Sequence, residues 1–550
     1  MEPRRLVLAL AAGLALADAS VVTLALPELL RELDTSVEAV AAVIGVYTVV
    51  LALALLPVER LMRELGPRDV GAAGFALFSV ASLACGLSGS LEALLIFRGL
   101  QALGSAAGLV AAFALLMRTG AAGAPSARAL WLGVAVLSTA VGPALGGALT
   151  QAFSWEAIFF AQAPLGAAAV LACRGTTEPR PVRATARGER RSWAAGLALA
   201  LVSAALTAVL FLLVLLLVAG WGVTPLSAAA TVTVLPLAAL AGARIGGPAR
   251  TRAAAGCALV GGGTIALAFL PDASLEWTLA PQALAGLGMG LALPALGGEL
   301  LPERDAADAA WLLTLRHAGI AAALVVLAPV TAHHLADATQ RARERGVALV
   351  LDARLPPTDK LTLAPDLLAG VDAEEPRAGL RTALAGQRDR YDPGTEERAA
   401  FDALAVRADD TLVAAVGESF ETAFIITGAL ALLGGAVLLP GARRPAWALA
   451  AVLAGGAVAA GTAGARQRAA PPPVTIRDPC AGRALPGSGG ITGFLQDRAL
   501  ELLDRNACKL GASREEYVLA LADPDDARAF ERRYGTDPRS TQSVLDALLG

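Results

Sequence analysis

Lysine is almost missing from these 550 residues: only Lys360 and Lys509 occur, and the other basic side chains are arginine. The formal net charge of −3 says nothing about nucleic acid, but no basic nucleic-acid module is present, so no nucleic-acid partner is expected. Aromatics make up 5%, which gives no clear cage for a flat cationic ligand. Three histidines and five cysteines fall in no spacing that suggests a metal, and no cofactor is implied. No catalytic constellation stands out, so an enzyme is the least supported class.

Apolar sequence is plentiful. Hydrophobic residues make up 56% of the chain and the mean hydropathy is +0.60, with apolar runs of about 20 residues recurring. One soluble core would not hide so much apolar surface, so the chain reads as an all-α polytopic membrane protein in contact with a lipid bilayer. The first run continues past Leu16-Ala17-Asp18-Ala19 to Leu26-Pro27, which argues for an uncleaved span rather than a signal peptide. Thirteen spans are expected, near 6–26, 38–57, 70–88, 92–116, 129–150, 156–173, 194–219, 226–243, 253–270, 276–298, 308–332, 419–440 and 445–464.

Arginine sets the orientation. Arg60, Arg63 and Arg68, then Arg118 and Arg128, then the Arg-rich stretch 174–192, then Arg244, Arg250 and Arg252, then Arg443 and Arg444 fall in alternate loops. The positive-inside rule puts these loops and the N-terminus in the cytoplasm. The acidic loop Glu299–Asp305 disagrees, but acidic residues weigh little in orientation. The expected domains are a six-helix bundle at 1–173, a cytoplasmic linker at 174–192 and a second six-helix bundle at 193–440. That second bundle carries an extracytoplasmic insertion at 333–417. An additional transmembrane helix at 441–464 then places a small helical C-terminal domain, 465–550, outside as well. Its helix signals include a capping box at Ser513-Arg-Glu-Glu516 and an Asp523-Pro524 start. Cys480 and Cys508, the only cysteines of the tail, would form a disulfide in an oxidising compartment; two separate thiols is the alternative.

Polar residues inside the spans carry the chemistry. Asp18 lies within the first span, where a charge is costly and usually faces the bundle interior, pairs or exchanges a proton. Burial favours the neutral acid and a nearby cation favours the carboxylate, so a conformational change can bind or release a proton there. In the fourth span, Arg98 and Gln101 share a face with Ser105, and Gly104 and Gly108 offer a close-packing ledge. A structural pairing of Asp18, and snorkelling of Arg98 to the interface, are the alternatives. Arg316 and His317 interrupt the eleventh span, either lining a path or making a structural hydrogen bond. In Gly133-Val-Ala-Val-Leu-Ser-Thr-Ala-Val-Gly142-Pro143-Ala-Leu-Gly146-Gly147, residues Ala135, Thr139, Gly142 and Gly146 form one small-residue stripe. Pro143 predicts a bend beside it.

That stretch resembles the GPxxGG motif on the fifth helix of drug:proton antiporters of the major facilitator superfamily. The Asp18 segment resembles the first-helix motif of the same antiporters, and Arg98-Gly-Leu-Gln101-Ala-Leu-Gly104 resembles their RxxQGxG motif with Ala102 at the first Gly. Ser154–Gly166 and Leu284–Pro294 resemble their sixth and tenth spans. The resemblance covers about 6–332 and 419–440. It implies major-facilitator-type six-plus-six bundles, with Asp18, Arg98 and Gln101 in proton coupling or transport. It further assigns Gly104, Gly133, Gly142, Pro143, Gly146 and Gly147 to packing and conformational change. The loop after span two departs from the family's G-x-L-x-D-x-x-G-R-K pattern: Leu61, Gly66 and Arg68 match, whereas Arg63 takes the Asp position with Glu64 beside it. The expected function is proton-coupled export of a small organic or drug-like solute by alternating access. An uncoupled or importing permease is one rival. A degenerate transporter body anchoring or sensing for the outer domain, with its own extracytoplasmic partner, is the other.

Overall fold

The structure is a computed structural model that describes residues 3–33, 35–118, 134, 142–175, 192–300, 306–356, 359–360, 363, 376–441, 445–469, 474–481 and 490–540. Gly133, most of the 174–192 linker and, within the 333–417 insertion, most of residues 361–375 lie outside the described residues. In chain order the helices begin with α1 (Pro3–Thr23), α2 (Leu26–Glu32), α3 (Val37–Leu65), α4 (Pro67–Gly86), α5 (Leu91–Arg118), α6 (residues 142–152) and α7 (Glu156–Arg174). They continue with α8 (Trp193–Leu215), α9 (Pro225–Val232), α10 (Val234–Gly242), α11 (Ala249–Leu267), α12 (Leu275–Leu300) and α13 (Ala306–Asp352). The last are α14 (Pro376–Arg388), α15 (Glu396–Leu438), α16 (Pro445–Ala469), α17 (Gly490–Leu510), α18 (Arg514–Ala522) and α19 (Pro524–Tyr534).

Local chemistry marks several starts. Ser36 and Ser192 accept the backbone N–H groups of Ala39 and Ala195 as N-caps. Gly66, at φ 91°, ends α3 in a conformation a side chain disfavours, and Pro67 opens α4. Among the described residues ten helices are long and apolar enough to cross a membrane. Large apolar side chains such as Leu53, Val80, Ile96 and Leu171 stand exposed on their outer faces, as lipid contact requires.

The described chain divides into two compact units. The first comprises Met1–Val218, Val223–His333 and Phe420–Gln467. Within it α1, α3, α4, α5 and α7 pack together, and α8, α10, α11 and α12 form a second group touching the first where α1 meets α8. The start of α13 adds Ala309, Ala310 and Leu313 to the core around α1 and α5. Helix α16 lies against α11: a Cβ on Gly262 would strike the Gly455 backbone, and the Thr462 hydroxyl reaches the Ala266 carbonyl at 3.2 Å.

The second unit joins Ala219–Gly222, His334–Ser419 and Arg468–Gly550. The insertion and the tail, distant in sequence, are one body here. Arg343 pairs with Asp526 at 2.8 Å and Arg514 with Asp352 at 2.8 Å. Arg514 is almost wholly buried and also meets Glu515 at 3.1 Å. The Cys480–Cys508 disulfide is formed. Ser513 and Glu516 make the expected capping box, and the Asp523 side chain accepts from the N–H groups of Asp525 and Asp526 ahead of Pro524. The edges expected at 332 and 419 are not helix ends, because α13 runs on to Asp352 and α15 begins at Glu396.

Candidate functional site

Five helices of the first unit bring polar side chains to one buried point. Asp18 of α1 and Arg98 of α5 meet at 2.6 Å, and neither side chain is exposed. Gln162 of α7 donates its amide to Asp18 Oδ1 at 3.0 Å. Gln101, one turn beyond Arg98, accepts from Arg98 Nη1 at 2.6 Å through Oε1. Its Nε2 donates to Gln162 Oε1 at 2.7 Å and to Ser82 of α4 at 2.8 Å. Arg98 Nε donates to the Val43 carbonyl of α3 at 3.0 Å.

Aromatic rings complete the seal. The Arg98 guanidinium lies 4.4 Å from the Tyr47 ring centroid and 5.7 Å from that of Phe159, where a desolvated cation–π contact gains about 2 kcal/mol. The Tyr47 hydroxyl is 2.7 Å from that of Ser105 and 3.0 Å from the Ala15 carbonyl. Gly104 explains how α5 comes so near α4: a Cβ there would overlap the Phe78 backbone nitrogen and lie 2.8 Å from the Gly74 carbonyl.

Beyond Tyr47 lies a cavity of about 40 Å³, room for one or a few waters. Its lining includes Ser20 and Tyr47 from one helix group, Ser203 and Met289 from the other, and Arg316 and His317 of α13. Asp18 and Arg98 are not in the lining, so Tyr47 stands as the partition between ion pair and cavity. His317 Nδ1 sits 2.7 Å from the Leu313 carbonyl.

Gly142, Gly146 and Gly147 are points of close approach on α6. A Cβ on Gly142 would strike the Ser20 hydroxyl, and one on Gly146 the Val21 carbonyl, both on α1. One on Gly147 would strike Ala229 and come within 2.9 Å of the Pro225 carbonyl on α9. Pro143 stands in the first described turn of α6, and the chain that would bend ahead of it lies outside the described residues apart from Val134.

The stretch expected as a loop after the second span is mostly helical: Arg63, in the last turn of α3, bonds Glu59 one turn back at 2.5 Å, Glu64 beside it is exposed, and Arg68 in the first turn of α4 is half-buried. Of the acidic stretch expected at Glu299–Asp305, Glu299 lies in the last turn of α12 and pairs with Arg250, which donates through Nη2 at 2.8 Å and Nε at 3.0 Å; residues 301–305 lie outside the described residues. Among the described residues no His, Cys, Asp and Glu cluster has the makings of a metal site.

Residues 8–336 match the profile of the Major Facilitator Superfamily. The chain belongs to this superfamily. Members of this superfamily are multi-pass membrane transporters rather than enzymes, and the ten apolar helices among the described residues fit a multi-pass membrane protein. Over 174 residues it is 37% identical to the tetracenomycin C resistance and export protein of Streptomyces glaucescens, covering 31% of this chain and 32% of that one. Over 173 residues it is 33% identical to multidrug resistance protein Stp of Mycobacterium tuberculosis, covering 30% and 32%. The match thus spans about a third of these curated relatives. A crystal structure of a bacterial homologue of the human lysosomal transporter Spinster, inward-facing and unoccupied, superposes with a TM-score of 0.51. It covers 81% of this chain and 100% of that one at 17% identity, a likeness of fold.

The geometry brings Asp18, Arg98 and Gln101 together and keeps Arg316 and His317 apart from them, on the cavity. Gln162, Tyr47 and Ser82 went unsingled in the sequence. A glutamine inside an apolar span is the same signal that marked Gln101.

Proposed function

We propose that this superfamily member exports a small organic solute in exchange for protons, by alternating access. The observation that carries the reading is the wholly buried Asp18–Arg98 pair, closed off by Gln101, Gln162 and Tyr47. A charge pair with no access to water persists only while both partners stay ionised. A proton reaching Asp18 neutralises the carboxylate and frees Arg98, which keeps Gln101 and Val43 as acceptors. Protonation then favours whichever arrangement of the helices tolerates a parted pair, and a ligand shifts such an equilibrium only by its differential affinity. The central cavity is far smaller than the roughly 300–1,000 Å³ of a solute site, so loading requires the two helix groups to part. Close contacts of α6 with α1 and α9 put Gly142, Gly146 and Gly147 where that motion would be felt. Relatives named for resistance and export favour outward transport.

Chain parity supports the sidedness. Insertion and tail belong to one compact unit, so an even number of crossings must separate them; α15 and α16 supply two. With the N-terminus cytoplasmic, this unit is extracytoplasmic, and α16 is the thirteenth span.

A susceptibility and metabolite-export profile of a strain lacking the protein identifies the solute. Proteoliposomes under an imposed pH gradient should then show solute-dependent proton flux that disappears in Asp18→Asn; equal flux in the variant removes Asp18 from coupling. The second reading, a transporter body serving the outer unit as anchor or sensor, draws on Arg63 being engaged by Glu59 within α3. It predicts that deleting residues 470–550 abolishes function while Asp18→Asn and Arg98→Ala are silent.

A further inference from the structure

The central cavity carries a cation and no described acid. Its lining includes Arg316 but no aspartate or glutamate. The nearest buried carboxylate is already engaged, since Asp18 Oδ2 faces Arg98 and Oδ1 accepts from Gln162. Among the described residues Arg316 makes no ion pair and no hydrogen bond, in contrast to Arg98. A guanidinium held in a membrane interior without a counter-charge is costly, and such residues mark ligand paths.

A second group in the same wall is also unsatisfied. The Ser203 hydroxyl, on a side chain 3% exposed, lines the cavity and finds no hydrogen-bond partner. Leu206, Leu210, Met289 and Ile320 make part of the wall apolar, and Ser20, Thr23, Tyr47, Thr207 and His317 reach it as uncharged or ring side chains without an acid among them. The cavity therefore offers a fixed positive charge and a spare hydroxyl donor beside an apolar wall. An oxyanion on an apolar body satisfies all three, and a cationic solute meets only repulsion.

We infer that the transported solute is an amphipathic organic anion whose carboxylate or ionised phenol is received by Arg316, with the Ser203 hydroxyl donating beside it. This rests on the reading of the central cavity as the solute site. Arg316 supplies two parallel N–H donors to a carboxylate, which also fixes the end of the solute that enters first.

The test uses two dyes with one ring system: fluorescein, which is anionic, and rhodamine 123, a cationic ester. Each is titrated by fluorescence anisotropy against the purified full-length chain in detergent, with no pH gradient. The expected result is at least tenfold tighter binding of fluorescein than of rhodamine 123. Arg316→Gln should weaken fluorescein at least tenfold and leave rhodamine 123 unchanged, and Arg316→Lys should recover part of the loss; matched melting temperatures establish that the variants fold. Equal or tighter binding of rhodamine 123, binding of neither dye, or unchanged fluorescein affinity in Arg316→Gln overturns the assignment. Proton coupling fails separately: charge-selective binding without gradient-driven flux removes the exchange mechanism and leaves Arg316 as the anion receptor.

Discussion

The carboxylate of Asp18 and the guanidinium of Arg98 stand 2.6 Å apart with no solvent at either side chain. Removing one partner strands the other as a buried charge, which costs about 3–5 kcal/mol, whereas replacing both is far milder. Arg98→Gln and Asp18→Asn should each lower the melting temperature of the detergent-solubilised protein clearly, while the double variant should lie close to wild type. All three should lack gradient-driven proton flux. Additive losses in the double variant would mean that the two groups do not stabilise each other.

Gly146 and Gly456 make a matched pair for the packing of the first unit. A Cβ at Gly146 overlaps the Val21 carbonyl, a backbone atom of α1 that cannot swing away, whereas a Cβ at Gly456 meets nothing within 4 Å. Gly146→Ala should destabilise by about 1–3 kcal/mol and impair transport. Gly456→Ala should be neutral or stabilise by up to about 1 kcal/mol, the helix-propensity gain. Thermal unfolding of the two variants side by side checks the contrast.

Polar residues stranded in apolar runs were legible as a site, since burial alone demands that Asp18, Arg98 and Gln101 find partners. Gln162 obeys the same rule, while Tyr47 reads as one more apolar residue until its ring is seen against Arg98. Hydropathy marks where lipid ends, not where a helix does. The residues after His333 are rich in Ala, Arg and Leu, good helix formers, so α13 continues past the end of the apolar run. The union of insertion and tail rests on Arg343–Asp526 and Asp352–Arg514, contacts between distant segments that no local pattern encodes.

The Cys480–Cys508 disulfide gives a direct reading of sidedness. Cys85, Cys173 and Cys257 are buried, which leaves the tail pair as the accessible thiols once reduced. Intact cells should resist a membrane-impermeant maleimide until an impermeant reductant is added, and then label in the tail. Labelling only after lysis would place the tail in the cytoplasm. The bridge spans a sequence separation of 28, so Cys480→Ser/Cys508→Ser should destabilise the second unit by about 3–4 kcal/mol in denaturant.

Lys360 makes the stability of the second unit depend on pH. Its side chain is 5% exposed, and Nζ donates to the Leu351 carbonyl at 2.7 Å. Burial pushes the ammonium down to about 8 from its ordinary 10.5; Asp352 and Asp497 oppose the shift and Arg514 adds to it. Below about pH 8 the folded unit therefore bears the full cost of a buried charge. Between about 8 and 10.5 the unfolded chain holds the proton that the folded chain has released, so stability rises with pH across that window. Melting curves at pH 7.5, 8.5 and 9.5 should show this rise in the wild type and a flatter course in Lys360→Met. Parallel slopes in the two proteins would mean that Lys360 keeps its ordinary affinity for the proton, and that the second unit folds with that ammonium in water.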